Sequence, residues 1–410
     1  MERPSIREHG GIFDLNFPDV MLSVRVDRLI EDSKHQPSGE VTIASRFPTA
    51  TGRIHRSRLN LMASRSRVSL ANDLAEYHSR LSKQDWTTVL EYVSSMVLDK
   101  YREGEPTHQL SDLGDTDGMV FRLPPFLQER QSTVLFGEGD TGKSWMGLLF
   151  GYVVATGTPK LGMLAEPGNV LYLDYETDEQ TVRERLFMLA EGFNEAIPDG
   201  VFYRHMHQTL GNDFEKLNQV VIEHSIDLII VDSGGPAVGE PELSGPTYEY
   251  FKALRALGVT NLTIAHMSKT GRENEPFGSI VWRNQPRANF RVFSDSQPGS
   301  SQRVVGLKQT KSNNGKLHPQ CAYVLDFGDR TVEVTKGDIA DIPVMEQGLP
   351  IWQRITRALS MGALRAKDIA EVLDLDERQV RNAISNQKNR HMFVALGEGL
   401  WGLSYKDDTR

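Results

Sequence analysis

The sequence predicts an α/β protein whose centre is a mainly parallel sheet with helices on both faces, and three observations carry that prediction. Gly137-Glu138-Gly139-Asp140-Thr141-Gly142-Lys143-Ser144 fits the pattern G-x-x-x-x-G-K-[ST] and stands between an apolar run (133–136) and a helical run (145–154). Short apolar runs alternate with amphipathic helical stretches across residues 119–343. Polar, glycine-containing stretches then separate this core from a small α+β segment before it and a helical segment after it. The expected domains are 1–105, a linker 106–118, the core 119–343, a linker 344–350 and a C-terminal domain 351–405.

Composition narrows the class. With 39% hydrophobic and 25% charged residues, a soluble globular protein is expected. The net charge of −9 argues against coating nucleic acid through bulk charge, so local basic patches decide. Cys321 is the single cysteine, which excludes an intrachain disulfide and suits a reducing compartment. There is no apolar run of about 18 residues and no cationic-then-apolar leader, so a cytoplasmic location is expected.

Residues 21–30 (MLSVRVDRLI) alternate apolar and polar positions, as a half-buried strand does. Further strands are expected over 39–45 and 53–61, and helices over 69–81 and 85–102. Between 41 and 70 stand Arg46, Arg53, Arg56, Arg58, Arg65 and Arg67, with no acidic residue. Such a segment is a phosphate-binding face for DNA, with Arg53, Arg56 and Arg58 as contacts, or a surface whose counter-charges lie on the following helices, or a protomer contact.

In the core, strands are expected over 169–175, 200–204, 226–232 and 261–265, alternating with helices over 178–192, 213–224 and 247–257. Ligands of such sheets bind beyond the carboxyl ends of the strands. Glu176, Asp232 and His266 each fall at such an end. Glycines let backbone N–H groups turn toward phosphate oxygens, and a helix N-terminus adds a favourable dipole. Gly137, Gly139, Asp140, Thr141, Gly142, Lys143, Ser144 and Trp145 are therefore the expected surroundings of ATP. Lys143 should reach the β- and γ-phosphates, and the Ser144 hydroxyl should ligate Mg²⁺. Asp232 fits as the carboxylate that holds Mg²⁺ through water. Ser233 follows it, so no adjacent glutamate is available, and Glu176 is the best group to polarise a water. The alternative for Glu176 is a helix-capping carboxylate near Asp178.

Val170-Leu171-Tyr172-Leu173-Asp174-Tyr175-Glu176, Gly142-Lys143-Ser144-Trp145 and Ala265-His266-Met267-Ser268-Lys269 make residues 119–343 resemble the RecA-like core of the DnaB and plasmid RepA type of hexameric helicase. That resemblance implies a P-loop NTPase with Glu176 as the catalytic glutamate and His266 as a γ-phosphate sensor relaying to DNA-facing loops. Leu307-Lys308-Gln309-Thr310-Lys311-Ser312-Asn313-Asn314-Gly315 resembles the strand whose basic residues enter the neighbouring subunit's nucleotide. Here Lys308 and Lys311 stand where an arginine commonly serves, and Arg283, Arg287 and Arg291 compete for that role. The resemblance also implies a homo-oligomer, a hexameric ring with DNA in its channel. Loops 233–245 and 270–277 would face that channel, with Lys269 and Arg272 on phosphates. Strands 322–327 and 331–334 are expected to close the core as a hairpin.

After the second linker, helices are expected over 351–359, 366–373 and 377–387, then strands over 392–396 and 399–403. This order resembles a winged helix-turn-helix. Arg378, Arg381, Ser385 and Lys388 follow i, i+3, i+7, i+10, a basic face for DNA or for a protein partner. The whole implies an ATP-driven DNA motor of a plasmid, phage or mobile element. The alternatives are a RecA/RadA-like recombination mediator or filament, and an ATP-gated DNA-binding initiator or regulator without unwinding activity.

Overall fold

Five antiparallel strands run in chain order through one N-terminal sheet: β1 (Ser5–His9), β2 (Ile12–Phe17), β3 (Leu22–Glu31), β4 (Pro37–Phe47) and β5 (Ala50–Asn60). Phe13, Leu15, Val24, Val26, Val41 and Ile43 alternate onto one buried face, as a period of two dictates. Helices α1 (Ser64–Tyr77) and α2 (Lys83–Glu103) cover that face with Leu70, Leu74, Trp86, Val89 and Val93. Ser82 and Asp85 form the capping box that starts α2. Strands β1 and β2 were not expected from the sequence, and α1 begins at Ser64 rather than 69. The acid-free arginine segment is not a uniformly basic surface. Arg56 pairs with Glu40, Arg58 donates to the Ser38 carbonyl at 3.3 Å, and Arg67 pairs with Glu91 at 2.8 Å. Glu40 stands directly across from Arg58 in the β4–β5 register, so counter-charge comes from the adjacent strand as well as from α2.

The computed structural model describes residues 1–47, 50–104, 107–113, 118–267, 275–313, 315–343, 345 and 349–404. They divide into two units, Met1–Gly118 with Glu215–Gln219, and Met119–Phe214 with Val220–Arg410. In the second unit a short hairpin, β6 (Phe121–Leu123) and β7 (Leu127–Gln128), precedes the main sheet. That sheet is built from β8 (Ser132–Gly137), β9 (Asn169–Asp174), β10 (Val201–His205), β11 (Ile226–Asp232), β12 (Thr260–His266), β13 (Ala288–Asp295), β14 (Gln302–Ser312), β15 (Cys321–Phe327) and β16 (Val332–Gly337). Its order is β10-β9-β11-β12-β8-β13-β14-β15-β16. The first six in that order are parallel, and β14, β15 and β16 add antiparallel. The chain is therefore a mixed α/β protein with a large, mostly parallel central sheet, as the alternation of elements predicts.

The connecting helices are α3 (Lys143–Thr156), α4 (Glu179–Gly192), α5 (Phe214–Glu223), α6 (Gly234–Val238), α7 (Ser244–Ala256) and α8 (Val281–Asn284). Strands β8, β9 and β11 are buried almost throughout, which explains their near-continuous apolar sequence. Gly147 and Gly151 let α3 lie close on the sheet; a Cβ at either would stand 2.9 Å from Ile264 or Ile230. Two sequence expectations change here. The stretch 233–245 is not a continuous loop: α6 forms immediately after Ser233, and α7 begins at Ser244. Strand β13 was not expected, yet it joins the parallel strands to the antiparallel ones.

The C-terminal segment contains α9 (Ile351–Ser360), β17 (Leu364–Arg365), α10 (Ala366–Leu373), α11 (Glu377–Ser385), β18 (Phe393–Gly397) and β19 (Leu400–Leu403). The strands form a sheet in the order β17-β19-β18, around a core of Ile355, Leu359, Ile369, Val380, Ile384 and Phe393. Asp376 caps α11 through the Arg378 N–H. Because α11 ends at Ser385, Lys388 lies beyond the helix, and the expected i+10 position is not helical. Arg378 is exposed, and Arg381 binds Glu377 one turn earlier. Among the described residues, no helix is long and apolar enough to cross a membrane.

Candidate nucleotide site

The site begins where β8 gives way to α3. Asp140 has φ 57° and Gly142 φ 83°, so the loop between them turns through the left-handed region. A Cβ on Gly142 would stand 2.9 Å from Val305 Cγ2, and one on Gly137 would stand 2.6 Å from the Val292 carbonyl. Only glycine fits a loop pressed so tightly against β13 and β14. The Thr141 hydroxyl donates to the Glu138 carbonyl at 2.9 Å and braces the turn. Lys143 is 6% exposed, and its ammonium donates to the carbonyls of Gly137, at 3.2 Å, and Glu138. Burial pushes the Lys143 pKa down, while Asp232, Glu176, Asp140 and Glu138 push it up.

Asp232 ends β11 beneath this loop and is buried. Its carboxylate accepts a hydrogen bond from the Tyr172 hydroxyl on β9, and Ser144 lines the same cleft. Burial raises its pKa, and the Tyr172 and Ser144 hydroxyls oppose the rise.

Glu176 follows β9 on a turn organised by Asp174. That buried carboxylate accepts from the N–H groups of Glu176 and Thr177 at 3.0 and 2.9 Å, and from the Thr177 and Tyr203 hydroxyls at 2.8 and 3.1 Å. Asp178, not Glu176, caps α4, accepting from the Thr181 N–H at 2.9 Å. The capping alternative for Glu176 is thereby taken by its neighbour. The Glu176 carboxylate instead accepts from the Ser233 hydroxyl and lies 3.4 Å from His266 Nε2. The His266 contact holds its pKa below the usual glutamate range, burial opposes, and the Ser233 bond adds to the lowering.

These side chains line one cleft of about 250 Å³, together with Asp140, Thr141, Trp145, Arg185 and Arg303. Trp145 packs edge-on against Phe327 and under the Arg185 guanidinium, 5.9 Å from its ring centroid. Sequence reasoning did not find Arg185 or Arg303. They come from α4 and β14, distant in the chain, and no local pattern marks them.

Lys308, Lys311 and the arginines that compete with them do not line this cleft. Lys311 donates to the carbonyls of Asn284 and Pro286 at 2.9 and 2.6 Å. Burial, with Arg287 and Arg283 nearby, lowers its pKa to about 8. Lys308 stands across from Arg291 in the β13–β14 register. Among their competitors, Arg283 pairs with Glu275 at 2.8 Å, Arg287 donates to Gln131 at 3.2 Å, and Arg291 lies 4.4 Å over the Phe293 ring. Lys269 and Arg272 lie outside the described residues. Arg53, Arg56 and Arg58 belong to the N-terminal sheet, and Arg378, Arg381 and Lys388 to the C-terminal segment.

A family model described as an AAA domain matches residues 121–272, the span from β6 past His266 that carries the loop, Glu176 and Asp232. No curated protein matches the chain. With the loop, the buried lysine and the strand-end carboxylates on one cleft, that match makes the core a P-loop NTPase of the ATPase type.

Proposed function

We propose that the chain hydrolyses ATP as a ring-forming DNA motor of the plasmid RepA and DnaB type. The observation that carries this reading is the position of Glu176. It enters the cleft from β9, the strand beside β11, and meets Ser233 and His266 there. A glutamate one strand over from Asp232 is what the resemblance to that helicase type implies.

The loop N–H groups cradle the phosphate chain, and Lys143 exchanges the Gly137 and Glu138 carbonyls for phosphate oxygens. Ser144 and Asp232 line the same cleft and offer two oxygen ligands, an all-oxygen pair of the kind Mg²⁺ takes, so the residues present fit that ion. Mg²⁺, when bound, neutralises charge on the β- and γ-phosphates. Glu176, held ionised by its neighbours, accepts a hydrogen bond from the attacking water and then its proton. Ser233 fixes the carboxylate, and His266 couples it to the β12 end, from which the chain continues toward Lys269 and Arg272. Lys308 and Lys311 of a neighbouring protomer supply charge in trans. The C-terminal segment, read as a winged helix, meets DNA through Arg378, Arg381 and Lys388, and residues 1–105 form a separate domain. Arg53 of that domain is exposed, whereas Arg56 and Arg58 are already engaged within the sheet.

The test is strand displacement on a forked duplex, joined to imaging of the protein with ATP and single-stranded DNA. ATP-dependent displacement by closed rings is expected. Filaments would favour a recombination mediator. A second reading, an ATP-gated DNA-binding initiator, draws on the exposed Arg378 at the start of α11. It gains if Lys143→Ala abolishes ATPase activity and leaves a site-specific footprint intact.

A further inference from the structure

The cleft holds a contact that this chemistry does not use. Arg303, on β14 of the same protomer, forms a forked pair with Asp140 of the P-loop, Nη1 to Oδ1 at 2.9 Å and Nη2 to Oδ2 at 3.1 Å. The partners differ in environment: the Arg303 side chain is 19% exposed and that of Asp140 84%. Arg303 Nε is buried with no hydrogen-bond partner among the described residues. Its stem packs on the loop, with Cδ 3.7 Å from where a Gly142 Cβ would stand. A planar guanidinium matches phosphate geometry, whereas a carboxylate in a phosphate-binding loop repels the ligand.

We propose that Arg303 binds the phosphate chain of the nucleoside triphosphate in its own protomer, and that Asp140 is the competing anion that holds it until the nucleotide arrives. This rests on reading the cleft as an ATP site. Binding exchanges a guanidinium–carboxylate pair for a guanidinium–phosphate pair, with no covalent change. Asp140 therefore weakens nucleotide binding, and on release it recaptures Arg303.

The experiment is equilibrium binding of fluorescent ATP and ADP analogues to wild type, Arg303→Gln, Arg303→Lys, Asp140→Asn and the double variant Asp140→Asn/Arg303→Gln. Thermal melts without nucleotide accompany each. Arg303→Gln should weaken ATP binding roughly ten- to a hundredfold, with Arg303→Lys between it and wild type. Asp140→Asn should tighten binding, and that gain should vanish in the double variant. Unchanged affinity in Arg303→Gln, or equal weakening by Asp140→Asn and Arg303→Gln, makes the pair a strut for the loop and overturns the proposal. If Arg303→Gln melts far below wild type, Arg303→Lys decides: weaker binding with a wild-type melt supports the proposal, and wild-type affinity sinks it. Failure of the ATP-site reading looks different, because wild type and Lys143→Ala would then bind nucleotide equally poorly.

Discussion

Glu176 lines the cleft and Lys311 does not, and each makes its own prediction. Glu176 touches Ser233 and His266 but no phosphate-loop group, so Glu176→Gln should leave ATP affinity within about twofold and cut turnover by roughly 10²–10⁴. Equilibrium binding beside steady-state ATPase rates checks this, and near-normal turnover removes Glu176 as the base. Lys311 makes a different prediction, because its pKa is lowered to about 8. If it supplies charge to a neighbour's nucleotide, activity is full below that pH and falls as pH rises through it. Lys311→Arg, which stays protonated, should carry the activity to higher pH. Stability moves the opposite way. A lysine whose folded pKa lies below its unfolded value of about 10.4 binds fewer protons when folded, so stability rises between about pH 8 and that value. A loss of activity above pH 8 from this group is therefore not unfolding. A flat rate profile through pH 9 would leave Lys311 as a cap on the Asn284 and Pro286 carbonyls.

At the scale of elements, the turn from β9 to α4 fixes Glu176, and Asp174 fixes the turn. Asp174→Ala removes a buried acceptor of two backbone and two hydroxyl donors and should destabilise the protein by about 2–3 kcal/mol. Turnover should fall more than ATP affinity does, as chemical denaturation and binding measurements on the same variant would show. This turn also marks what the sequence could disclose. The apolar run 170–173 announces a buried strand, and Glu176 stands just past it. That Asp178 rather than Glu176 caps α4 depends on one backbone torsion, which no periodicity encodes. β13 escaped notice because Arg291 within it and Arg287 just before it read as candidate contacts instead of as parts of one extended segment. Arg303 reaches the cleft only through sheet order, which places β14 two strands from β8, and Arg185 reaches it from α4. The five-stranded sheet was read in its longer members, β3 to β5, and not in β1 and β2, although Phe13, Leu15 and Phe17 alternate with Asp14 and Asn16 along β2.

At the scale of the whole molecule, the proposed ring makes each active site a shared property. Lys311→Ala protomers would keep their own Lys143 and fail to supply the neighbour, whereas Lys143→Ala protomers would do the reverse. Mixing the two should restore part of the ATPase activity that each lacks alone, and its absence over a range of ratios would favour a self-contained site. Strand β14 then has a consequence of its own. Arg303 stands at one end and Lys308 and Lys311 toward the other, so at about 3.3 Å per residue roughly 16–26 Å of hydrogen-bonded strand separates them. β15 pairs with Gln302 to Leu307 of this length and β13 with Val304 to Ser312, with a register shift between Gln309 and Lys311, so the backbone ties both ends into one sheet. In a ring, one end would register whether its own pocket is filled while the other end leans on the next pocket. Hydrolysis around the ring would then be ordered in time, each firing conditional on the state of the subunit before it.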